Sequence, residues 1–228
     1  MSLQGKTVAV TGGNGNLGRA VARAALDAGA AVALLDVAFS ADIASALPGK
    51  VSTHKVNLLD SAETRARFEK IGRVDALCNI AGGFTMGDPV HATPDEVWTK
   101  MLDLNTRTLI NAIRAAVPGM LKQGSGKIVN IGATAALAGG ANMGAYAASK
   151  SIVIRLTESM SAELKRQGIN VNCVLPSIID TPQNRKDMPN VDPKTWVAPE
   201  DLAAVILFLI SDVSRAVHGA AIPVVNLV

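Results

Sequence analysis

Aromatic side chains make up only 3% of this 228-residue chain: one tyrosine, two tryptophans and four phenylalanines. The interior must therefore be assembled from Ala, Val, Leu and Ile, and small residues favour close packing of helices on a sheet. Cysteine is scarce as well. Cys78 and Cys173 stand alone in apolar runs, which reads as two buried free thiols in a cytoplasmic protein, not as a disulfide. His54, His91 and His218 lack metal-ligand spacing, so no metal site is expected. No apolar run reaches membrane-spanning length; "LAAVILFLI" at 202–210 is too short. The opening "MSLQGKTVAVTGG" enters a strand-like segment with no charged-then-apolar leader. Net charge is +3, from 22 basic and 19 acidic residues without a basic run, so neither nucleic acid nor membrane is an expected partner. Hydrophobic residues at 49% against 18% charged exclude a disordered chain.

What the sequence does contain is alternation. Seven runs read as strands: 6–12, 30–36, 50–56, 74–82, 127–133, 169–176 and 220–228. Several are apolar nearly throughout, as strands covered on both faces should be. Between them, Leu17, Ala20, Val21, Ala24, Ala25 and Ala28 mark one helical stripe. Segments 61–71, 94–117, 144–167 and 199–211 also read as helices. The pattern predicts one doubly wound α/β domain over 1–228, with a seven-stranded, mainly parallel sheet flanked by helices. The stretch 177–198, with Pro182, Pro189 and Pro193, is the one long irregular segment, of a length associated with lids and binding loops.

The segment "TGGNGNLG" (11–18) lies between the first strand and the first helix. Gly12, Gly13, Gly15 and Gly18, with Asn14, Asn16 and Leu17, make a tight turn that presents free N–H groups at a helix start to an anion. In this setting the expected guest is the pyrophosphate of a dinucleotide. Asp36 ends the second strand, placed to accept hydrogen bonds from ribose hydroxyls and to repel a 2′-phosphate. NAD(H) is therefore expected over NADP. Arg19 is the one nearby residue that argues the other way.

Tyr146, the only tyrosine, stands four residues before Lys150 in "YAASK". On a helix the two share a face. An ammonium there favours phenolate and lowers the tyrosine pKa from its usual value of about 10, toward a range useful for proton transfer.

With "TGGNGNLG", Asp36, "NIAGG" (79–83), Asn105 in "LDLNTRT", "YAASK" and "NVNCVLPSIIDTP" in order, the chain resembles the short-chain dehydrogenases/reductases over its whole length. The resemblance implies a Rossmann fold and assigns roles. Tyr146 is the proton donor or acceptor. Lys150 binds the nicotinamide ribose and tunes Tyr146, and Asn105 supports a relay water. Asn57 and Leu58 meet adenine; Asn79, Ala81 and Gly82 line the adenosine side; Pro176, Ile178 and Thr181 hold the carboxamide end. Family members commonly pair through helices corresponding to 94–117 and 144–167, which implies a homotetramer or homodimer.

Four positions depart from the family pattern: Asn16 stands for the usual second glycine of the loop, Asn57 for an aspartate near adenine, Ser177 for the glycine after the strand-six proline, and Ala133 for a serine. The serine expected thirteen residues before the tyrosine is Ala133, which donates no hydrogen bond; Thr134 follows it. The glycine spacing, Asp36, Trp98, Ala133 and the segment "DTPQNRKDMPNVDPKTW" (180–196) resemble the dihydropteridine reductase branch. That resemblance implies an NADH-dependent reductase of a small conjugated heterocycle such as quinonoid dihydropterin, a substrate electrophilic enough to need one proton donor. Ala133, Thr134, Arg185, Met188 and Trp196 are the corresponding substrate-side candidates. Two alternatives stand beside it: a general ketone/alcohol oxidoreductase, and a catalytically weak NAD-binding protein that acts through interactions.

Overall fold

The computed structural model describes residues 1–47 and 49–228. Seven strands, β1 (Thr7–Thr11), β2 (Ala31–Asp36), β3 (Val51–Lys55), β4 (Ala76–Asn79), β5 (Gly126–Ile131), β6 (Ile169–Pro176) and β7 (Ala221–Val224), form one sheet in the order 3-2-1-4-5-6-7. Every pairing is parallel, so the sheet is uniformly and not just mainly parallel. Among the described residues eight helices intervene: α1 (Asn16–Asp27), α2 (Ile43–Ala46), α3 (Ser61–Ile71), α4 (Asp95–Leu102), α5 (Thr108–Gln123), α6 (Gly144–Leu164), α7 (Pro182–Asp187) and α8 (Pro199–Ile210).

Period-two alternation divides each strand between two cores. Val8, Val10, Val32 and Leu34 pack with Val21 and Ala25 of α1 and with Leu202 and Ile206 of α8. Ala9, Leu35 and Leu77 face the other side, against Phe68 of α3, Ala112 and Ala116 of α5, and Met160 of α6. A fully buried leucine such as Leu34 or Leu77 contributes roughly 2 kcal/mol of transfer free energy. Asp60 caps α3 by accepting from the Ala62 and Glu63 amides, a contribution typically of about 1 kcal/mol. Cys78 and Cys173 are free and buried, and burial pushes their thiols up to about 12 and about 11. Among the described residues no helix is long and apolar enough to cross a membrane, and no group of three or more His, Cys, Asp or Glu is placed to hold a metal ion.

Two expectations change. The helix expected over 94–117 is interrupted at Asp103–Arg107 by a wider turn, in which the Thr108 amide bonds back to the Asp103 carbonyl. Asn105 lies in that turn, and its side chain pairs with both the N–H and the C=O of Gly83. The irregular stretch 177–198 has more structure than its prolines suggest. It holds α7 and a short 3-10 turn at Pro193–Thr195, and its two limbs join through Ile178, Asp180 and Val197.

The strand order reverses between β2–β1 and β4. At such a switch point the loops leaving the two strands diverge and open a crevice beyond the carboxyl ends. Here those loops are 12–15, after β1, and 80–83, after β4. Thr11 ties them together, its hydroxyl accepting from the Ile80 and Ala81 amides at 3.0 and 3.1 Å.

Candidate active site

One wall of the crevice is the glycine loop. Gly12 has φ +65°, and a Cβ there would lie 2.9 Å from the Ala81 nitrogen. At Gly13 it would lie 2.8 Å from the Leu34 Cβ, and at Gly18 it would collide with the Gly12 carbonyl. Backbone thus approaches its neighbours at three points where a side chain has no room. α1 begins at Asn16 with Gly15 at its cap and no side-chain cap, so the N–H groups of Asn16, Leu17 and Gly18 are left for an outside acceptor. The Asn14 amide turns instead to the Asp36 carboxylate at 3.0 Å. These features fit a dinucleotide: an uncapped helix start for phosphates and a carboxylate at the tip of β2 for ribose hydroxyls.

The other wall carries the proton-transfer candidates. Lys150 is buried, and its Nζ donates to the Ile131 carbonyl at the end of β5, at 2.9 Å. A Cβ on Gly82 would sit 2.7 Å from Asn105 Oδ1 and 3.4 Å from Lys150 Nζ. Gly82, Asn105 and Lys150 therefore meet at one point, and a side chain at position 82 would press on the Asn105 amide. Asn105 Nδ2 donates to Ser149 Oγ at 3.0 Å, and Ser149 Oγ donates to the Tyr146 carbonyl. Ser149 is fully buried and links Asn105 to the helical turn that carries Tyr146. Its place in "YAASK" is visible in the sequence; its link to Asn105 requires the fold. Phe84 packs edge-on against the Tyr146 ring, with centroids 4.9 Å apart. Its position directly after "AGG" is the only signal the sequence offers for it.

The expected direction of the tyrosine shift is reversed. Burial pushes Tyr146 up to about 12, and burial pushes Lys150 down to about 8. Desolvation disfavours the charged form of each group, and for Tyr146 it is the cause of the shift.

The remaining sequence candidates fall on several elements. Asn79 is buried and donates to Asn130 Oδ1 at 2.9 Å, bracing β4 against β5, while its own Oδ1 has no partner among the described residues. Leu58 is buried, and its carbonyl and that of Leu59 are held by Asn111. Asn57 accepts from the Leu59 amide. Ala81 sits under Gly12. Pro176 ends β6, and its carbonyl accepts from the Thr134 hydroxyl at 3.4 Å, which gives that hydroxyl a backbone partner. Ala133 is extended and 4% exposed. The Ile178 carbonyl accepts from Val197, and Thr181 caps α7 by accepting from the Asn184 amide. Two substrate-side expectations are not supported. Arg185 is bonded to both carboxylate oxygens of Asp180 at 2.6 Å, which holds Asp180 below the usual carboxylate range. Trp196 is 2% exposed, and its indole Nε1 is buried. Met188 is half-buried at the end of α7.

Residues 6–192 match the family model described as short chain dehydrogenase. The 3-oxoacyl-[acyl-carrier-protein] reductase of Thermotoga maritima is 33% identical, with 97% of each chain covered. An NAD+-bound xylitol dehydrogenase has a TM-score of 0.91 with 99% of this chain and 100% of that chain covered; at 23% identity it shows the fold alone. A Beutenbergia cavernae protein with bound NADP has a TM-score of 0.90 at 29% identity, covering 99% and 97%.

Proposed function

The chain belongs to the short-chain dehydrogenase/reductase family, and from that premise we propose that it is an NAD(H)-preferring oxidoreductase interconverting a ketone and an alcohol on a small molecule. The observation that carries this reading is the meeting of Gly82, Asn105 and Lys150 beside the helical turn of Tyr146. Ligand binding by itself does not call for a buried lysine and asparagine ordered around a helix that carries the lone tyrosine. The name of one relative, a 3-oxoacyl reductase, supports a carbonyl substrate.

The residues that would hold the dinucleotide are the 12–18 loop for the phosphates, Asp36 for the adenosine ribose, Lys150 for the second ribose, and the 176–181 segment for the carboxamide. Bound there, the dinucleotide would supply hydride-transfer chemistry. Tyr146, pushed up to about 12, is protonated at neutral pH and so suited to give its proton to a carbonyl oxygen as charge builds on it. Lys150, with a value pushed down to about 8, changes charge close to the working range. Asn105 and Ser149 hold the helix that carries both. With alanine at 133, a second donor to the oxygen is missing from that side chain, and the oxygen relies on Tyr146.

A second reading keeps quinonoid dihydropterin as substrate. Ala133 favours it, because a conjugated acceptor needs less oxygen stabilisation. The burial of Trp196 and the Asp180 partnership of Arg185 argue against contact of these two loop residues with the ring. Association into a homodimer or homotetramer, measurable by light scattering, completes the proposal.

NADH turnover against a panel of β-keto esters, sugar ketones, diketones and quinonoid dihydropterin tests the assignment. Tyr146→Phe is expected to lower kcat by about 100-fold or more on the accepted substrate. Unchanged turnover in that variant rejects the role. No turnover by the wild type, with NAD+ bound, favours the interaction-protein alternative.

A further inference from the structure

Asp36 is not the only charged group at the adenosine end of the crevice. Arg19 lies in the first turns of α1, and its guanidinium reaches back over the glycine loop. Nε donates to the Asn14 carbonyl and Nη2 to Asn14 Oδ1, both at 3.0 Å. Ser40 joins the same cluster through its amide and hydroxyl to Asn14 Oδ1 and through its hydroxyl to Arg19. Asn14 is also the residue whose amide bonds Asp36. The carboxylate that would receive ribose hydroxyls and the guanidinium that would receive a phosphate thus flank a single residue.

These two groups favour opposite dinucleotides. A carboxylate at the ribose selects free hydroxyls, whereas a planar guanidinium selects a 2′-phosphate. The structure contains a third charge that decides between them. Asp42, on the loop after β2, meets Arg19 with Nη1 to Oδ2 at 3.2 Å and Nη2 to Oδ1 at 3.4 Å. Both outer nitrogens of the guanidinium are engaged by this one carboxylate. The trio Asp36, Arg19 and Asp42 carries a formal charge of −1, where Asp36 and Arg19 alone would be neutral.

We propose that Asp42 is a specificity-determining residue that withdraws Arg19 from 2′-phosphate recognition, so that NAD is selected over NADP by two carboxylates. The inference rests on the reading that the glycine-loop crevice holds the dinucleotide. Asp42 carries its charge throughout the useful pH range, because the Arg19 hydrogen bond lowers it to about 2; the clamp is therefore constant and does not act as a pH switch. The pair is partly open to solvent, at 26% for Arg19 and 62% for Asp42. That exposure makes the effect sensitive to salt and makes Asp42 replaceable without disturbing a core.

Equilibrium binding of NAD+, NADP+ and 2′,5′-ADP by calorimetry tests this without turnover. In Asp42→Asn, the NADP+ and 2′,5′-ADP affinities are expected to rise about tenfold, the value of one charge-assisted hydrogen bond at the low end of its range. NAD+ affinity is expected to stay within about twofold, within the small effects usual for a surface substitution. The gain should shrink in high salt and vanish in the double variant Arg19→Met/Asp42→Asn. An unchanged NADP+ affinity in Asp42→Asn overturns the inference, as does an equal change for NAD+ and NADP+, or a gain that survives loss of Arg19. In each of those cases NAD+ still binds the wild type and the crevice assignment stands. Failure of the wild type to bind NAD+ at all overturns the crevice assignment and this inference together.

Discussion

Replacing Lys150 with methionine should abolish turnover and yet change stability in a direction set by pH. Lys150 is 6% exposed, its ammonium donates to the Ile131 carbonyl, and burial pushes it down to about 8 from 10.5. Between those two values the unfolded chain holds a proton that the folded chain has released, so the stability of the wild type rises with pH across that window. Below about 8 the desolvation cost is present in full, on the order of 3 kcal/mol, since each tenfold loss of proton affinity corresponds to about 1.4 kcal/mol. By pH 9.5 about 2 kcal/mol of it is relieved. Lys150→Met has a similar length and no charge. It gains by losing that cost and loses by leaving the Ile131 carbonyl unpaired, a penalty of about 1–3 kcal/mol that does not depend on pH. Urea denaturation of both proteins at pH 7 and pH 9.5 isolates the titrating part, since the contributions of all other groups cancel in the difference. The advantage of the variant over the wild type should fall by about 2 kcal/mol between the two conditions. A difference that stays constant with pH would show that Lys150 is not desolvated in the folded protein, and its assigned role in the site would fall as well.

Two further outcomes follow from the same geometry. Ala133→Ser restores a donor at an extended, buried position next to the site, and kcat/KM for an unactivated ketone should rise about tenfold to a hundredfold; an unchanged value would show that this side chain does not face the substrate oxygen. Gly18→Ala drives a Cβ into the Gly12 carbonyl and to within 2.9 Å of the Gly13 Cα, so urea denaturation should show a loss of about 1–3 kcal/mol and calorimetry a weakened NAD+ affinity. Wild-type behaviour in both measurements would mean the loop is not packed as described.

The layered fold is legible in the sequence because parallel strands buried on both faces write themselves as unbroken apolar runs, as in "AVALL" over β2, where Val32, Ala33, Leu34 and Leu35 are all buried. The glycine loop is legible for a related reason: the close contacts around Gly12, Gly13 and Gly18 leave no alternative to glycine. The break at Asp103–Arg107 is not legible. Nothing in "LDLNTRT" opposes a regular helix; the widening goes with Asn105 reaching a peptide 22 residues away. The burial of Trp196 is hidden because a proline-rich loop has no periodicity from which to read an inside and an outside. The direction of the Tyr146 shift is hidden because sequence shows the lysine four residues on, whereas the enclosure that raises it is a property of the folded cavity.

The scarcity of aromatic residues gives this protein a built-in optical probe. With Tyr146 as the sole phenol, any change in ultraviolet absorption from tyrosinate formation comes from one place, a ring packed against Phe84. The folded chain holds that transition near 12, whereas an unfolded chain releases it near about 10. An alkaline spectrophotometric titration, with no label attached, therefore reports on the enclosure of that single ring and on whatever a bound molecule does to it.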